Sequence, residues 1–135
     1  MNVKTFLDTN VLIYAFASND RRAAKAEALL AAGGTVSIQV LNEFVNVSHR
    51  KLGRKWPEIE SALGILRTLL DPPLPITTEL HEAALILARD RGLAFYDSLI
   101  VAAAMHAKCA ILYSEDMQAG QTIGATTIRN PFASM

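Results

Sequence analysis

The alternation of short apolar runs with helical blocks constrains this chain more than any other feature. Val3 to Leu7, Thr35 to Ile38, Leu74 to Ile76, Ala110 to Tyr113 and Thr126 to Ile128 are brief, apolar or β-branched, and too short for helices. Between them, helical spacing or composition marks Asn10 to Ala17, Asp20 to Ala32, Gln39 to Leu52, Pro57 to Leu70, Thr78 to Arg91 and Tyr96 to Ala107. The stop signals agree: Gly33 and Gly34, Gly53, the prolines Pro72, Pro73 and Pro75, and Gly92 each follow a helical block. Pro57 suits the first turn of its helix, and Asp8 or Thr9 suits the N-cap of the first. Strands joined through helices pair in parallel and are covered by those helices. An α/β fold is expected, with one domain over 1–135, a mostly parallel central sheet flanked by helices, and more helix than strand. The blocks Gln39 to Leu52 and Pro57 to Leu70 have no strand between them, which predicts a helical-hairpin arm.

Composition narrows the class. With 135 residues, 51% of them hydrophobic and 19% charged, the chain buries enough surface, about 68% of the unfolded total, to fold without disulfides or a structural metal. The lone Cys109 has no intrachain partner and no Cys/His cluster has zinc spacing, so a cytoplasmic, reducing setting is expected. Asp8 splits the apolar N-terminal region, and one lysine makes a poor signal peptide. The longest uncharged stretch, Ala28 to Asn42, falls short of the ~20 apolar residues that span a bilayer, so no membrane association is expected. Thirteen basic residues balance thirteen acidic ones, which removes any global electrostatic signal for a polyanion but leaves local patches open.

Four acids stand where solvated charges do not belong. Asp8 is the only charge between Lys4 and Asp20 and follows the first strand; Asp97 is the only charge between Arg91 and Lys108 and starts an apolar helix. Asp116, with Glu115 beside it, follows the strand Ala110 to Tyr113. Taken singly, Asp8 or Asp97 is explained as a helix cap and Asp116 as a turn residue. Taken together they are not, because buried charges are costly unless paired and no Lys or Arg adjoins Asp8 or Asp97. In open parallel sheets the carboxyl ends of strands share one crevice, where Asp8 and Asp116 meet by topology. Glu43 joins them through a polar stripe, Gln39, Glu43, Asn46 and Arg50, on the helix after the second strand. Carboxylates that meet must be relieved by protons or a cation. An oxygen-only donor set suits Mg2+, with Mn2+ as a substitute, and the chemistry that follows is metal-assisted phosphodiester transfer by a metal-activated water.

The segments FLDTNVLIYAF (Phe6 to Phe16), VLNEF (Val40 to Phe44), FYDSLIVAAA (Phe95 to Ala104) and LYSEDM (Leu112 to Met117) resemble, in order and across essentially the whole chain, the PIN-domain ribonucleases, specifically the VapC-type toxins of toxin-antitoxin pairs. The resemblance implies an Mg2+-dependent endoribonuclease with catalytic residues Asp8, Glu43, Asp97 and Asp116. It assigns Asp8, Asp97 and Asp116 as metal ligands and Asn10, Ser114 and Glu115 as supports, the Ser114 hydroxyl holding the Asp8 carboxylate. Serine stands where the family commonly has threonine, and Glu115 competes with Asp116 as the ligand. An RNA substrate, a cognate antitoxin covering the site, and a homodimer are implied likewise.

Other residues carry weaker signals. His49, His81 and His106 show no ligand spacing, Cys109 reads as a small buried hydrophobe, and Trp56 as a packing anchor rather than a base-stacking platform. Arg50, Lys51, Arg54 and Lys55 form the densest basic stretch. It is either a solvated helix end or an RNA-binding patch helped by Arg21, Arg22 and Lys25. Two rivals to the ribonuclease remain at this stage. One is a phosphatase with Asp8 as nucleophile, disfavoured because Asn10 occupies the place of the usual second Asp. The other is a non-enzymatic metal-binding α/β module that binds RNA or protein.

Overall fold

The computed structural model describes residues 3–135. Its elements run β1 (Thr5–Leu7), α1 (Thr9–Ala15), α2 (Ala23–Ala31), α3 (Ile38–Arg50), α4 (Trp56–Leu69), α5 (Thr78–Arg91), α6 (Phe95–His106), β2 (Ile111–Tyr113), β3 (Thr122–Ile123) and β4 (Thr126–Arg129). The sheet order is β1-β2-β4-β3, with β1-β2 and β2-β4 parallel and β3-β4 antiparallel. The expected mostly parallel α/β architecture is therefore present.

Differences in detail have local causes. The expected strands at 35–38 and 74–76 shrink to single parallel bridges, Phe6 with Thr35 and Ser37 with Leu74. Ser37 caps α3 through a Val40 N–H bond to its Oγ, so the chain turns helical at once and no ladder extends further. Three prolines around Leu74 remove N–H donors that a longer edge strand needs. Thr122–Ile123, expected as loop, pairs back on β4 as a short antiparallel edge. Asp20 begins a turn rather than α2, because its carboxylate accepts from the Arg22 N–H.

The core explains the element order. In α6, Ser98 through Ala104 are buried without interruption, as expected of a helix apolar on every face and packed at the centre of the domain. Phe6, Leu7, Val11, Leu12, Val40, Phe44, Leu112 and Ile128 from other elements join it in the core, completely or almost completely buried. Removing one such side chain to alanine costs about 2–5 kcal/mol. The hairpin of α3 and α4 forms as expected but does not project as an arm. α3 packs on α1 and α6, α4 packs on α3 and α2, and Ile59, Ala62 and Leu66 of α4 are buried. Arg54 fastens the α3-α4 turn to the end of α1, donating from Nη2 to the Phe16 carbonyl at 2.7 Å. No helix among the described residues is long and apolar enough to cross a membrane.

Candidate active site

Parallel register builds the centre of the site. Leu7 pairs with Tyr113, so the first residues beyond the two strands, Asp8 and Ser114, are brought side by side. Backbone bonds carry the pairing one step past the strands: Asp8 N–H donates to the Tyr113 carbonyl at 3.0 Å, and Ser114 N–H to that of Arg129 at 2.9 Å. The Ser114 hydroxyl then donates to Asp8 Oδ2 at 2.7 Å, while Asp8 Oδ1 accepts from the Thr9 N–H at 2.7 Å and caps α1. Asp8 is 4% exposed and Ser114 fully buried. Burial pushes the Asp8 carboxyl up to about 6; the Ser114 and Thr9 bonds pull it down, and the neighbouring Glu43 and Asp97 push it up again. Among the described residues no cationic side chain forms an ion pair with it.

Glu43 is held by two donors. Thr9 Oγ1 donates to its Oε1 and Gln39 Nε2 to its Oε2, both at 2.9 Å. The one-turn spacing from Gln39 to Glu43 on α3 supplies the second contact, and the α1 N-terminus supplies the first. Asp97 lies in the first turn of α6. Its carboxyl is raised by burial, then by Glu43 and Asp116. The four carboxylates singled out in the sequence therefore act on one another electrostatically, although they approach from four separate chain segments.

Glu115 and Asp116 part company. Glu115 takes a hydrogen bond from the Tyr14 hydroxyl and two from Arg22 Nη1 at 3.0 Å, so its charge is already neutralised. Arg22 also stacks over the Tyr14 ring at 3.7 Å and pairs with Asp20 at 2.8 Å. Burial and Glu115 together push the Tyr14 hydroxyl up to about 12. Asp116 is exposed and has no ion-pair partner among the described residues. Asn10 accepts a long 3.5 Å bond from the Glu115 N–H, and its buried Nδ2 has no acceptor among the described residues.

A groove of about 500 Å3 opens beside Glu43, lined by Gln39, Asn42, Glu43, Asn46, Val47 and the 63%-exposed Tyr96. Gln39, Glu43 and Asn46 of the polar stripe read from the sequence thus line this groove, and Arg50 lies beyond it on the same helix. The basic stretch has divided roles: Arg54 is spent on the Phe16 carbonyl, whereas Arg50, Lys51 and Lys55 are exposed. Arg22 is likewise committed to acids. Trp56 is not the packing anchor expected: it is 51% exposed and stacks on His49. The three histidines are exposed on three different helices and Cys109 is buried, as the sequence suggested.

Among the described residues no three His, Cys, Asp or Glu side chains are gathered into a ready-made metal cage. A hard divalent ion of the Mg2+ kind does not require one, since it keeps several waters and takes one or two carboxylates plus substrate phosphate. The donor chemistry fits such an ion. Asp8 is buried, uncompensated by any cation, and has lone pairs left on both oxygens, and its neighbours Glu43 and Asp97 add negative charge.

The described fold has clear relatives. A family model for the PIN domain matches residues 5–122. No curated protein sequence matches the chain. Three solved structures are similar. The Mycobacterium tuberculosis toxin VapC20, described as cleaving the sarcin-ricin loop, is 24% identical with a TM-score of 0.69, over 84% of this chain and 90% of that one. A toxin-antitoxin complex from Klebsiella pneumoniae is 21% identical with a TM-score of 0.71, over 96% and 98%. VapBC2 from Rickettsia felis, bound to a promoter DNA fragment, is 19% identical with a TM-score of 0.64, over 93% and 97%. Similarity at these identities establishes the shared fold, and with the family match running through nearly the whole described chain, this protein belongs to the PIN domain family.

Proposed function

We propose that the chain is an Mg2+-dependent endoribonuclease, the toxin of a toxin-antitoxin pair, and that Asp8, Glu43, Asp97 and Asp116 form its catalytic centre. The observation that carries this reading is the buried Asp8 carboxylate, held by Ser114 and Thr9 and facing further acids with no cation beside it. A fold that maintains such a cost without a compensating charge is arranged for a cation and a phosphate. Asp8, Asp97 and Asp116 would hold the ion; Mn2+ has the same donor preference. When bound, it supplies a polarised phosphate, a water of lowered pKa and a stabilised leaving oxygen.

The chain's own residues have separable tasks. Ser114 orients the Asp8 carboxylate and favours its ionised form against the effect of burial. Thr9 and Gln39 aim Glu43, which stands beside Asp8 and Asp97 and is suited to taking a proton from the attacking water. Asn10 offers a buried N–H to a ligand oxygen, and Glu115 supports the loop rather than the chemistry. An antitoxin partner is supported by the Klebsiella and Rickettsia complexes of the same fold, and a homodimer in the cytoplasm completes the reading.

The test is cleavage of RNA by the purified chain. Activity is expected with Mg2+ or Mn2+, lost in EDTA, and lowered at least a thousandfold in Asp8→Asn and Asp97→Asn proteins that remain folded. RNA binding without turnover at every divalent-ion concentration would instead favour the non-enzymatic binding module.

A further inference from the structure

We propose that the turn between α3 and α4 is a base-stacking and phosphate-binding platform for single-stranded RNA, built on the His49-Trp56 pair and flanked by Arg50, Lys51 and Lys55. The two rings stack with centroids 4.1 Å apart and planes 22° from parallel. One indole face stacks against the imidazole, and the residue as a whole is 51% exposed. A tryptophan serving the core would be covered, and a large aromatic left in water beside three free cations is the pairing that sequence-tolerant single-strand binders use.

The turn is rigid enough to present that surface. Arg54 ties it to the Phe16 carbonyl, the Arg54 N–H donates to the Ser48 carbonyl at 2.9 Å, and the N–H groups of Lys51 and Leu52 both donate to the Val47 carbonyl. Glu58, the acid nearest in sequence, is occupied by the Lys55 N–H at 2.9 Å and caps α4. Its single negative charge is outnumbered by the exposed Arg50, Lys51 and Lys55, so the turn is positive on balance, complementary to a phosphate backbone and unsuited to another basic surface.

Position along α3 connects the platform to the carboxylates. Glu43 and Arg50 lie on the same helix, separated by about 10 Å of axial rise, or about three stacked nucleotides at about 3.4 Å each. Asn46 lies on the same stripe between them and lines the groove beside Glu43. A strand whose scissile phosphate sits at the carboxylates thus reaches the platform a few nucleotides away. The proposal rests on the ribonuclease reading for the identity of its ligand as RNA, and it predicts a preference for unpaired flanking nucleotides, because a base inside a duplex has both faces stacked on its neighbours.

Trp56 is the only tryptophan in the chain, so its fluorescence reports the contact directly. The probe is a single-stranded RNA dodecamer, titrated in Mg2+ against the full-length Asp8→Asn protein, with an abasic dodecamer of equal phosphate count as the control. Quenching by the base-containing strand alone, and affinity at least fivefold higher than for the abasic strand, are expected. In the same background, Trp56→Ala should weaken RNA binding measured by anisotropy about tenfold, while Trp56→Phe stays within threefold; circular dichroism establishes that both fold. Equal affinity for the two strands without quenching, or unchanged affinity in Trp56→Ala, overturns the proposal. Wild-type protein that cleaves RNA while its tryptophan stays silent sinks the platform and leaves the ribonuclease standing. Quenching of the wild-type protein by RNA that it fails to cleave in Mg2+ or Mn2+ keeps the platform and sinks the ribonuclease. Quenching by a protein partner but never by RNA also overturns the proposal.

Discussion

Replacing Asp8 by asparagine is expected to stabilise the metal-free protein at neutral pH, and to do so in a way that reverses in acid. The Asp8 carboxyl is raised from 3.8 to about 6, first by burial, with the Ser114 and Thr9 bonds lowering it and Glu43 and Asp97 raising it. At about 1.4 kcal/mol per pH unit, that rise is about 3 kcal/mol of stability withheld by the ionised group. The sign follows from proton binding: the folded carboxyl binds its proton more tightly than the unfolded one, so folding takes up protons between pH 3.8 and about 6. Stability therefore falls as pH rises through that window, and the full cost is present above it. Asparagine keeps the Thr9 N–H acceptor and removes the charge, but its NH2 faces Ser114 Oγ, whose proton must find another acceptor, at about 1 kcal/mol. A net gain of about 2 kcal/mol at pH 7.5 remains, or about 1 M in the urea midpoint at a slope of about 2 kcal/mol per M. Below the window only the 1 kcal/mol loss is left, so the midpoints of wild type and variant should cross near pH 4.5, by about the same balance. Urea unfolding in EDTA at several pH values measures this. Saturating Mg2+ should then raise the wild-type midpoint and leave the variant's unchanged. A variant equally stabilised at pH 4 and 7.5, or not stabilised at 7.5, refutes the argument that Asp8 is a buried charge awaiting a cation.

Three further outcomes are expected. Ser114→Ala removes the bond that holds the Asp8 carboxyl down, so the acid limb of the cleavage pH profile should move upward at fixed Mg2+, with about 1–2 kcal/mol lost in stability. An unmoved limb would show that Ser114 does not act on Asp8. Glu115→Gln should retain cleavage within about tenfold, because its partners are Tyr14 and Arg22. Asp116→Asn should lose at least a hundredfold, and the reverse ranking in a steady-state assay would exchange their roles. Gly34→Ala places a methyl 3.2 Å from Thr5 Oγ1 with φ at +154°, so thermal unfolding should report a loss of about 1–3 kcal/mol.

How much of this was legible in the chain depends on how far apart the partners lie in sequence. Isolated charges are visible by inspection, so Asp8 and Asp97 stand out in the sequence itself. Parallel pairing was legible from strand-helix alternation, and that pairing alone brings Asp8 beside Ser114. The orientation of Glu115 was not, because it depends on Arg22 and Tyr14, 93 and 101 residues away. No local pattern marks Arg22 as the residue that neutralises Glu115 and leaves Asp116 free. The grip on Glu43 was half visible: Gln39 precedes it by one helical turn, but Thr9 reaches it across 34 residues. Trp56 departs from expectation for a related reason: tryptophan beside proline at a helix start is usually packed, and neither its exposure nor its stack on His49 is written in the local sequence.

Asp8 also dissolves the choice between a helix cap and a functional acid. An aspartate after a strand is most simply a cap, and Asp8 is one, since its Oδ1 accepts the Thr9 N–H at the start of α1. Capping by a side chain such as serine or asparagine would satisfy the same donor without a buried charge, at a difference of a few tenths of a kcal/mol or less. The carboxylate instead costs about 3 kcal/mol at neutral pH. The cap therefore explains why a polar residue stands at position 8, and it does not explain why that residue is ionisable. The second oxygen does: it is fixed by Ser114 at the edge where β1 and β2 end, within influence of Glu43 and Asp97. Each oxygen makes one hydrogen bond that orients it and keeps a lone pair free. That arrangement leaves both oxygens able to bind a ligand that accepts electron pairs, which is what the proposed divalent cation would use and what a cap alone does not call for.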